Sequence, residues 1–247
     1  MKLSQILRFS TSKKRMEMSL ENTAPFYKRH LFIATPGQHC WPCHPERDHP
    51  IISRLTTLLR PCLASSDLKI TLTDANISER QIKDNDKDLF DVLLYPDHVV
   101  SLGRSAADIE PLAEIISLHQ RIQPNSDTAI SFSPDRLSRI FVCTHGERDC
   151  RCGTHGSALF HTLSAVLLHD RLRSMIQIHR CSHIGGHKYA ANCIVYPNGD
   201  WFGHFQGTME DAKLLVDKIR DPQGRIQRQN SLFKKHWRGT MGVKSGL

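Results

Sequence analysis

The chain has 247 residues, of which 39% are hydrophobic and 23% charged, with a formal net charge of +8. That length fits one large domain or two small ones, and the composition excludes a disordered, collagen-like or mucin-like chain. The longest unbroken apolar runs, such as 165–168, fall far short of a membrane span, and eight cysteines are too few for a disulfide scaffold of this length yet enough for a metal site.

The charge is unevenly placed. Five bases and no acid lie in the first sixteen residues, and six bases and no acid follow residue 222, so the middle holds 22 bases against all 25 acids. A nucleic-acid-binding domain carries its positive charge on its folded body, so no nucleic-acid partner is expected. Basic ends instead steer a chain toward an acidic partner or a membrane surface. In the N-terminal extension, residues 1–27, Leu3, Ile6, Leu7 and Phe9 recur at helical spacing among Lys, Arg and Ser. This is the composition of a mitochondrial transit peptide; a disordered basic N-terminus is the alternative. The expected location is therefore the mitochondrion, with the cytoplasm as the alternative, and the cysteines are expected as thiols or metal ligands.

From Lys28 onward the hydrophobic periodicity gives one pattern twice. The first copy predicts a strand at 30–35, an irregular Pro- and His-rich stretch, a helix over 50–63, a strand at 68–73, a hairpin at 91–95 and 98–102, and a helix over 107–122. A polar segment, 123–133, reads as a linker. The second copy predicts a strand at 139–144, a Gly-rich loop, a helix over 157–172, strands at 175–180, 193–196 and 201–205, and a helix over 209–219. Both hairpins turn at Tyr-Pro (Tyr95-Pro96 and Tyr196-Pro197). Strand, helix, strand, hairpin, helix is the thioredoxin-like order. The expected fold is thus α/β, as two tandem thioredoxin-like units: a degenerate one at 28–122 and a second at 134–247 that carries the chemistry and ends in a basic tail.

Five of the eight cysteines fall between Cys143 and Cys193. One cluster runs Cys143-Thr144-His145-Gly146-Glu147-Arg148-Asp149-Cys150-Arg151-Cys152-Gly153. Cys143 ends a strand and Cys152 sits on the loop that follows, so the loop can fold back and present two thiolates to one bound object. Its glycines let backbone N–H groups approach that object, and an Arg148–Asp149 ion pair would pin the loop. The other cluster runs Cys181-Ser182-His183-Ile184-Gly185-Gly186-His187. A helical turn would place His183 and His187 on one face, whereas Gly185-Gly186 favours a tight loop. Both clusters open at the C-terminal ends of parallel strands, where α/β sheets collect their sites. Taken singly, each cysteine or histidine reads as a buried or surface side chain; together they read as a metal site.

The two motifs, CTHGERDCRC and SHIGGHKYAAN, together with the ending His236-Trp237-Arg238-Gly239, resemble the sucrase/ferredoxin-like family of thioredoxin-like [2Fe–2S] proteins. No convincing carboxylate pair for a sucrase accompanies them. The resemblance implies a bis-histidinyl [2Fe–2S] cluster held by Cys143, Cys152, His183 and His187. Cys150 and Cys181, chemically able to compete for those places, are then neighbours. Such a protein would transfer electrons or serve redox homeostasis with proton-coupled reduction, rather than turn over a substrate of its own. It would meet redox donor and acceptor proteins and the cluster-assembly machinery, and no membrane span is expected. The alternatives are a structural Cys2His2 zinc module and a dithiol oxidoreductase acting through Cys40 and Cys43 of His39-Cys40-Trp41-Pro42-Cys43. Pro45 and Pro50 delay the helix that would lower a thiol pKa there.

Overall fold

A computed structural model describes residues 19–35, 41–74, 89–118, 121–124, 128–221 and 231–244. The transit-peptide expectation and Cys40 lie outside the described residues. The chain runs through β1 (Arg29–Ala34), α1 (Pro45–Asp48), α2 (Pro50–Leu58), α3 (Arg60–Ala64) and β2 (Leu68–Thr73). The hairpin β3 (Phe90–Tyr95) and β4 (Val99–Arg104), helix α4 (Ile109–Leu118) and the short β5 (Ser133–Pro134) follow. Then come β6 (Ser138–Cys143), α5 (Ser157–His169), β7 (Ile176–Cys181), the hairpin β8 (Cys193–Tyr196) and β9 (Asp200–Phe202), α6 (Met209–Arg220), α7 (Ser231–His236) and β10 (Trp237–Thr240). The expected helix over 50–63 is divided at Leu59, with Pro61 in the first turn of α3, because proline has no N–H to continue the preceding ladder.

β1 and β2 pair in parallel across their helices, and so do β6 and β7; each pair gains an antiparallel hairpin. The strand order is β10-β9-β8-β6-β7-β2-β1-β3-β4-β5. Within it, β9-β8-β6-β7 follows the same plan as β4-β3-β1-β2, a mixed α/β, thioredoxin-like arrangement. The segment expected as a linker is partly structural: Ile130 and Phe132 are fully buried in the N-terminal core, and β5 pairs with β4. Part of the basic tail likewise becomes the edge strand β10 on β9.

The two halves meet through one antiparallel bridge, Thr73 to Cys181. Beside it the Ser182 N–H donates to Leu72 O (2.9 Å) and the Leu72 N–H donates to Ser182 Oγ (3.0 Å). So short a ladder lets the halves fold onto each other. Phe32 of β1 stacks on Phe141 of β6 with ring centroids 3.8 Å apart, whereas strands three places apart in a flat sheet lie about 14 Å apart. Tyr95 stacks on Tyr196, also at 3.8 Å. The layers are therefore helix, sheet, sheet, helix. Alternation along each strand feeds two cores: Leu31 and Ile33 face their helices while Phe32 faces the centre, and Ile140 and Val142 face theirs while Phe141 and Cys143 face the centre. With both faces covered, these strands read as continuous apolar runs.

Buried polar groups cross the central layer. His30 bonds Tyr196 Oη through Nδ1 and Thr71 Oγ1 through Nε2, both at 2.8 Å. Arg139 pairs with Asp135 and donates to His179 Nε2 (2.9 Å), and the Tyr95 hydroxyl donates to Asp135 (2.7 Å). Burial holds the pKa values of His30 and His179 well below the ordinary imidazole range, helped by Lys69 and Arg139 respectively. Both stay neutral in the fold and gain protons only when it opens. The stability of the neutral form is thus complete above the unfolded pKa of about 6.5 and falls as pH drops below it. These two histidines therefore make the fold less stable as the pH falls from about 7.5 to about 5.5. Urea titrations across that range check this; a midpoint that does not move would contradict it.

Candidate metal centre

Cys143 closes β6, its N–H donating to Asn192 O (3.0 Å). The chain leaves the sheet at Thr144, turns back with Asp149 N–H on His145 O and Gly153 N–H on Asp149 O (both 3.2 Å), and enters a wide π-type turn, Cys152–Gly156, that runs directly into α5. Such turns are frequent at functional sites. Here it carries Cys152 back beside Cys143, both fully buried. A Cβ on Gly156 would lie 2.0 Å from Cys143 O, so only glycine lets the turn close on the strand. The expected Arg148–Asp149 pair does not form. Asp149 pairs instead with Arg151 (2.7 Å), which holds its carboxyl well below the usual range. Arg148 reaches the other half, donating to Cys43 O (3.1 Å) and meeting His44.

The second loop leaves β7 at Cys181. The His183 N–H donates to His145 Nδ1 (3.0 Å), and the other ring nitrogen of His145 lies 3.2 Å from Trp41 O. Because Nδ1 accepts, Nε2 carries the proton and donates to that carbonyl. His145 is buried, and burial lowers its pKa, which keeps it neutral. It ties the His183 backbone to the N-terminal half. Further on, Gly185 (φ +103°) and Gly186 (φ +72°) put the chain in left-handed conformations, and the Asn192 side-chain amide donates to Gly186 O (2.8 Å).

The donor atoms of Cys143, Cys152 and His183 all lie within 4.8 Å of one another, the group among the described residues that can hold a metal ion. His187 is not in it; its ring lies beside that of His183, centroids 5.7 Å apart. The expected Cys2His2 set is therefore corrected to two cysteines and one histidine. The bis-histidinyl ligation, the Cys2His2 zinc alternative and the proton-coupled reduction built on two histidines fall with it. The physical reason is the Gly185-Gly186 turn: its left-handed backbone replaces the helical turn that would have brought both imidazoles to one point. Of the competitors, Cys150 is exposed, and Cys181, buried beside Cys143 in the parallel register, stands outside the donor group. For the dithiol alternative, Cys43 is exposed.

The electrostatics suit a metal. A hydrogen bond from Cys152, then contacts from His183 and the N–H groups of His145 and Ile184, hold the Cys143 thiol well below its ordinary pKa. The Cys143 sulfur in turn pushes the Cys152 thiol up. His183 Nδ1 and Thr144 Oγ1 are buried without a hydrogen-bond partner. An orphaned imidazole nitrogen beside two thiols is the donor chemistry of zinc, iron and iron–sulfur groups, and the residues fit such a group. Sequence reasoning missed the part played by His145, although it lies inside the quoted motif, because a ring that holds another residue's backbone leaves no spacing signal.

Residues 20–239 match the sucrase/ferredoxin-like family. The chain belongs to this family. Within it, this sucrase/ferredoxin-like chain is 32% identical over 112 residues to altered inheritance of mitochondria protein 32 of Meyerozyma guilliermondii, across 43% of this chain and 38% of that protein. It is 23% identical over 216 residues to the protein of the same name from Clavispora lusitaniae, across 77% and 76%. Among solved structures it is similar to a thioredoxin-like [2Fe–2S] ferredoxin from Aquifex aeolicus, with 17% identity and a TM-score of 0.34 over 45% of this chain and 98% of that one, a likeness too distant to assign a function. None of the described helices is long and apolar enough to cross a membrane.

Proposed function

We propose that this chain is a redox protein that holds a [2Fe–2S] cluster at a centre built on Cys143, Cys152 and His183. The convergence of those three donors within 4.8 Å carries the reading. Bound there, such a cluster takes up and returns one electron at a time. The protein's own part is to favour the ionised form of the Cys143 sulfur, with Cys152 and the N–H groups of His145 and Ile184 around it, and to fix the His183 backbone through His145. Electron donor and acceptor proteins and the cluster-assembly machinery are the proposed partners, and electron carriage rather than substrate turnover is the proposed activity. The repeated strand plan supports two thioredoxin-like units, 28–122 and 134–247, with the centre in the second. The name shared by the relatives favours a mitochondrial setting.

Anaerobic reconstitution with iron and sulfide, followed by metal analysis and electron paramagnetic resonance after dithionite, tests this. Cys143→Ser, Cys152→Ser and His183→Ala are each expected to lower metal retention at least about tenfold, the scale at which loss of a well-placed group is felt. His187→Ala and Cys150→Ser should retain it. A preparation that holds zinc and no iron would refute the cluster, and a loss in His187→Ala as deep as in His183→Ala would refute the three-donor set.

A further inference from the structure

Strand β2 has two faces. Leu68, Ile70 and Leu72 pack on the helix-side core of the N-terminal half, so alternation turns Lys69 and Thr71 to the central layer. The Thr71 hydroxyl meets His30 Nε2 there (2.8 Å), and His30 stands opposite Lys69 in the parallel register of β1 and β2. The same layer holds Cys143, Cys152 and Cys181. Past Cys181 the chain runs back along β2, with Ser182 on Leu72, so the loop that bears His183 heads toward Lys69. A cavity of about 350 Å³ lies between the halves, and Lys69, Ser182 and His183 line it together. Lys69 and the metal centre thus border one space. Arg148, the other cation of that lining, donates to Cys43 O (3.1 Å), and its acid, Glu46, is bonded to His44 (3.1 Å). Among the described residues, the groups that act on the charge of Lys69 are the sulfurs of Cys181 and Cys143, of which Cys143 is a metal donor. Burial lowers the Lys69 pKa to about 8, which still leaves an ammonium at neutral pH.

We infer that Lys69 is the counter-charge of the metal centre, an ammonium on the cavity it shares with His183 that acts through the Cys143 sulfur and favours the reduced state. This role rests on the cluster proposed above, in which two ferric ions and two sulfides leave a balance of two positive charges. The thiolates of Cys143 and Cys152 offset that balance, since a bound thiol is deprotonated. With a neutral imidazole from His183 the oxidised centre is neutral, and an added electron makes it an anion. A nearby cation stabilises the anion and leaves the neutral state almost untouched. The net charge around a cluster is one of the quantities that set its potential, so Lys69 raises it.

Potentiometric titration of the reconstituted full chain near neutral pH, followed by visible absorption and with iron per chain measured alongside, tests the inference. Lys69→Met and Lys69→Gln are each expected to lower the midpoint by the equivalent of at least about tenfold in the reduction equilibrium, about 59 mV for one electron. Both should keep the parental iron content, because the oxidised centre is neutral. Lys69→Arg, which keeps the charge, should stay within about threefold of the parent. The shift should persist in about 1 M salt, which screens exposed charges but reaches buried ones much less. A midpoint unchanged in both neutral variants, a shift in Lys69→Arg as large as in Lys69→Met, or a shift that salt abolishes would each overturn the role. Loss of iron from both neutral variants would make Lys69 part of what builds the centre and overturn it too. A parent chain that takes up no iron would refute the cluster, and this role with it; a parent that loads, with variants that match its midpoint, would refute the role alone.

Discussion

Gly156→Ala is expected to lower the unfolding temperature by roughly 6–12 °C and to take metal binding with it. The added Cβ would sit 2.0 Å from Cys143 O and 3.0 Å from Cys143 C. Both are backbone atoms of a central strand that is hydrogen-bonded on both sides, to β7 and β8, so no flexible side chain can yield. The π-type turn must withdraw, and Cys152, four residues earlier in the same turn, withdraws with it. Overpacking against backbone at such a place costs about 3 kcal/mol or more. For a chain of this size that corresponds to the stated shift. Gly146→Ala supplies the comparison, because its Cβ would meet Gly153 Cα at an ordinary 3.5 Å; it should melt near the parent and keep its metal. Differential scanning calorimetry together with metal analysis measures both variants. A Gly156→Ala chain that melts with the parent would mean that the turn does not close on β6.

What the sequence disclosed, and what it hid, divides along a physical line. The β-α-β-hairpin-α pattern of each half was legible because runs such as Leu31–Ala34 and Ile140–Cys143 are apolar throughout, and the Pro- and Gly-marked turns between them are local. Cys143, Cys152 and His183 were legible because a strand end followed by a glycine loop is a local arrangement too. The place of His187 depended on two backbone conformations at Gly185 and Gly186, and i,i+4 spacing says nothing of those. The face-to-face packing of the halves was hidden as well. Phe32 and Phe141 carry no mark that they stack on each other, since continuous burial looks the same whether helices or a second sheet cover the other face.

Arg238→Ala is expected to destabilise the chain by about 4 kcal/mol, combining orphaned acceptors with a large void. Arg238 is almost fully buried, and burial lowers its pKa to about 10, so it remains charged at neutral pH. The guanidinium donates to Asn192 Oδ1 (2.8 Å), Thr23 O (2.7 Å) and Thr23 Oγ1 (3.1 Å). It also lies over the rings of Tyr189 (4.4 Å) and Trp201 (5.4 Å), where cation–π attraction adds to the hydrogen bonds. Truncation leaves Asn192 Oδ1 buried and unpaired, at a cost of about 1–3 kcal/mol, and the part-buried Thr23 O without its guanidinium donor. The consequence reaches the site because Asn192 in turn donates to Gly186 O, and Gly186 has no room for a Cβ, which would lie 2.6 Å from Arg238 Nη2. With the guanidinium gone, the loop between His183 and His187 loses the surface that fixes its left-handed turn. Hydrogen exchange at residues 186–189 should then accelerate beyond what the global loss of stability explains, and Arg238→Lys, which keeps the charge but not the fork, should restore only part of the protection. Urea titration gives the global term and exchange the local one. Protection of 186–189 that falls only in step with global stability would place Arg238 in the core alone and free the loop from its control.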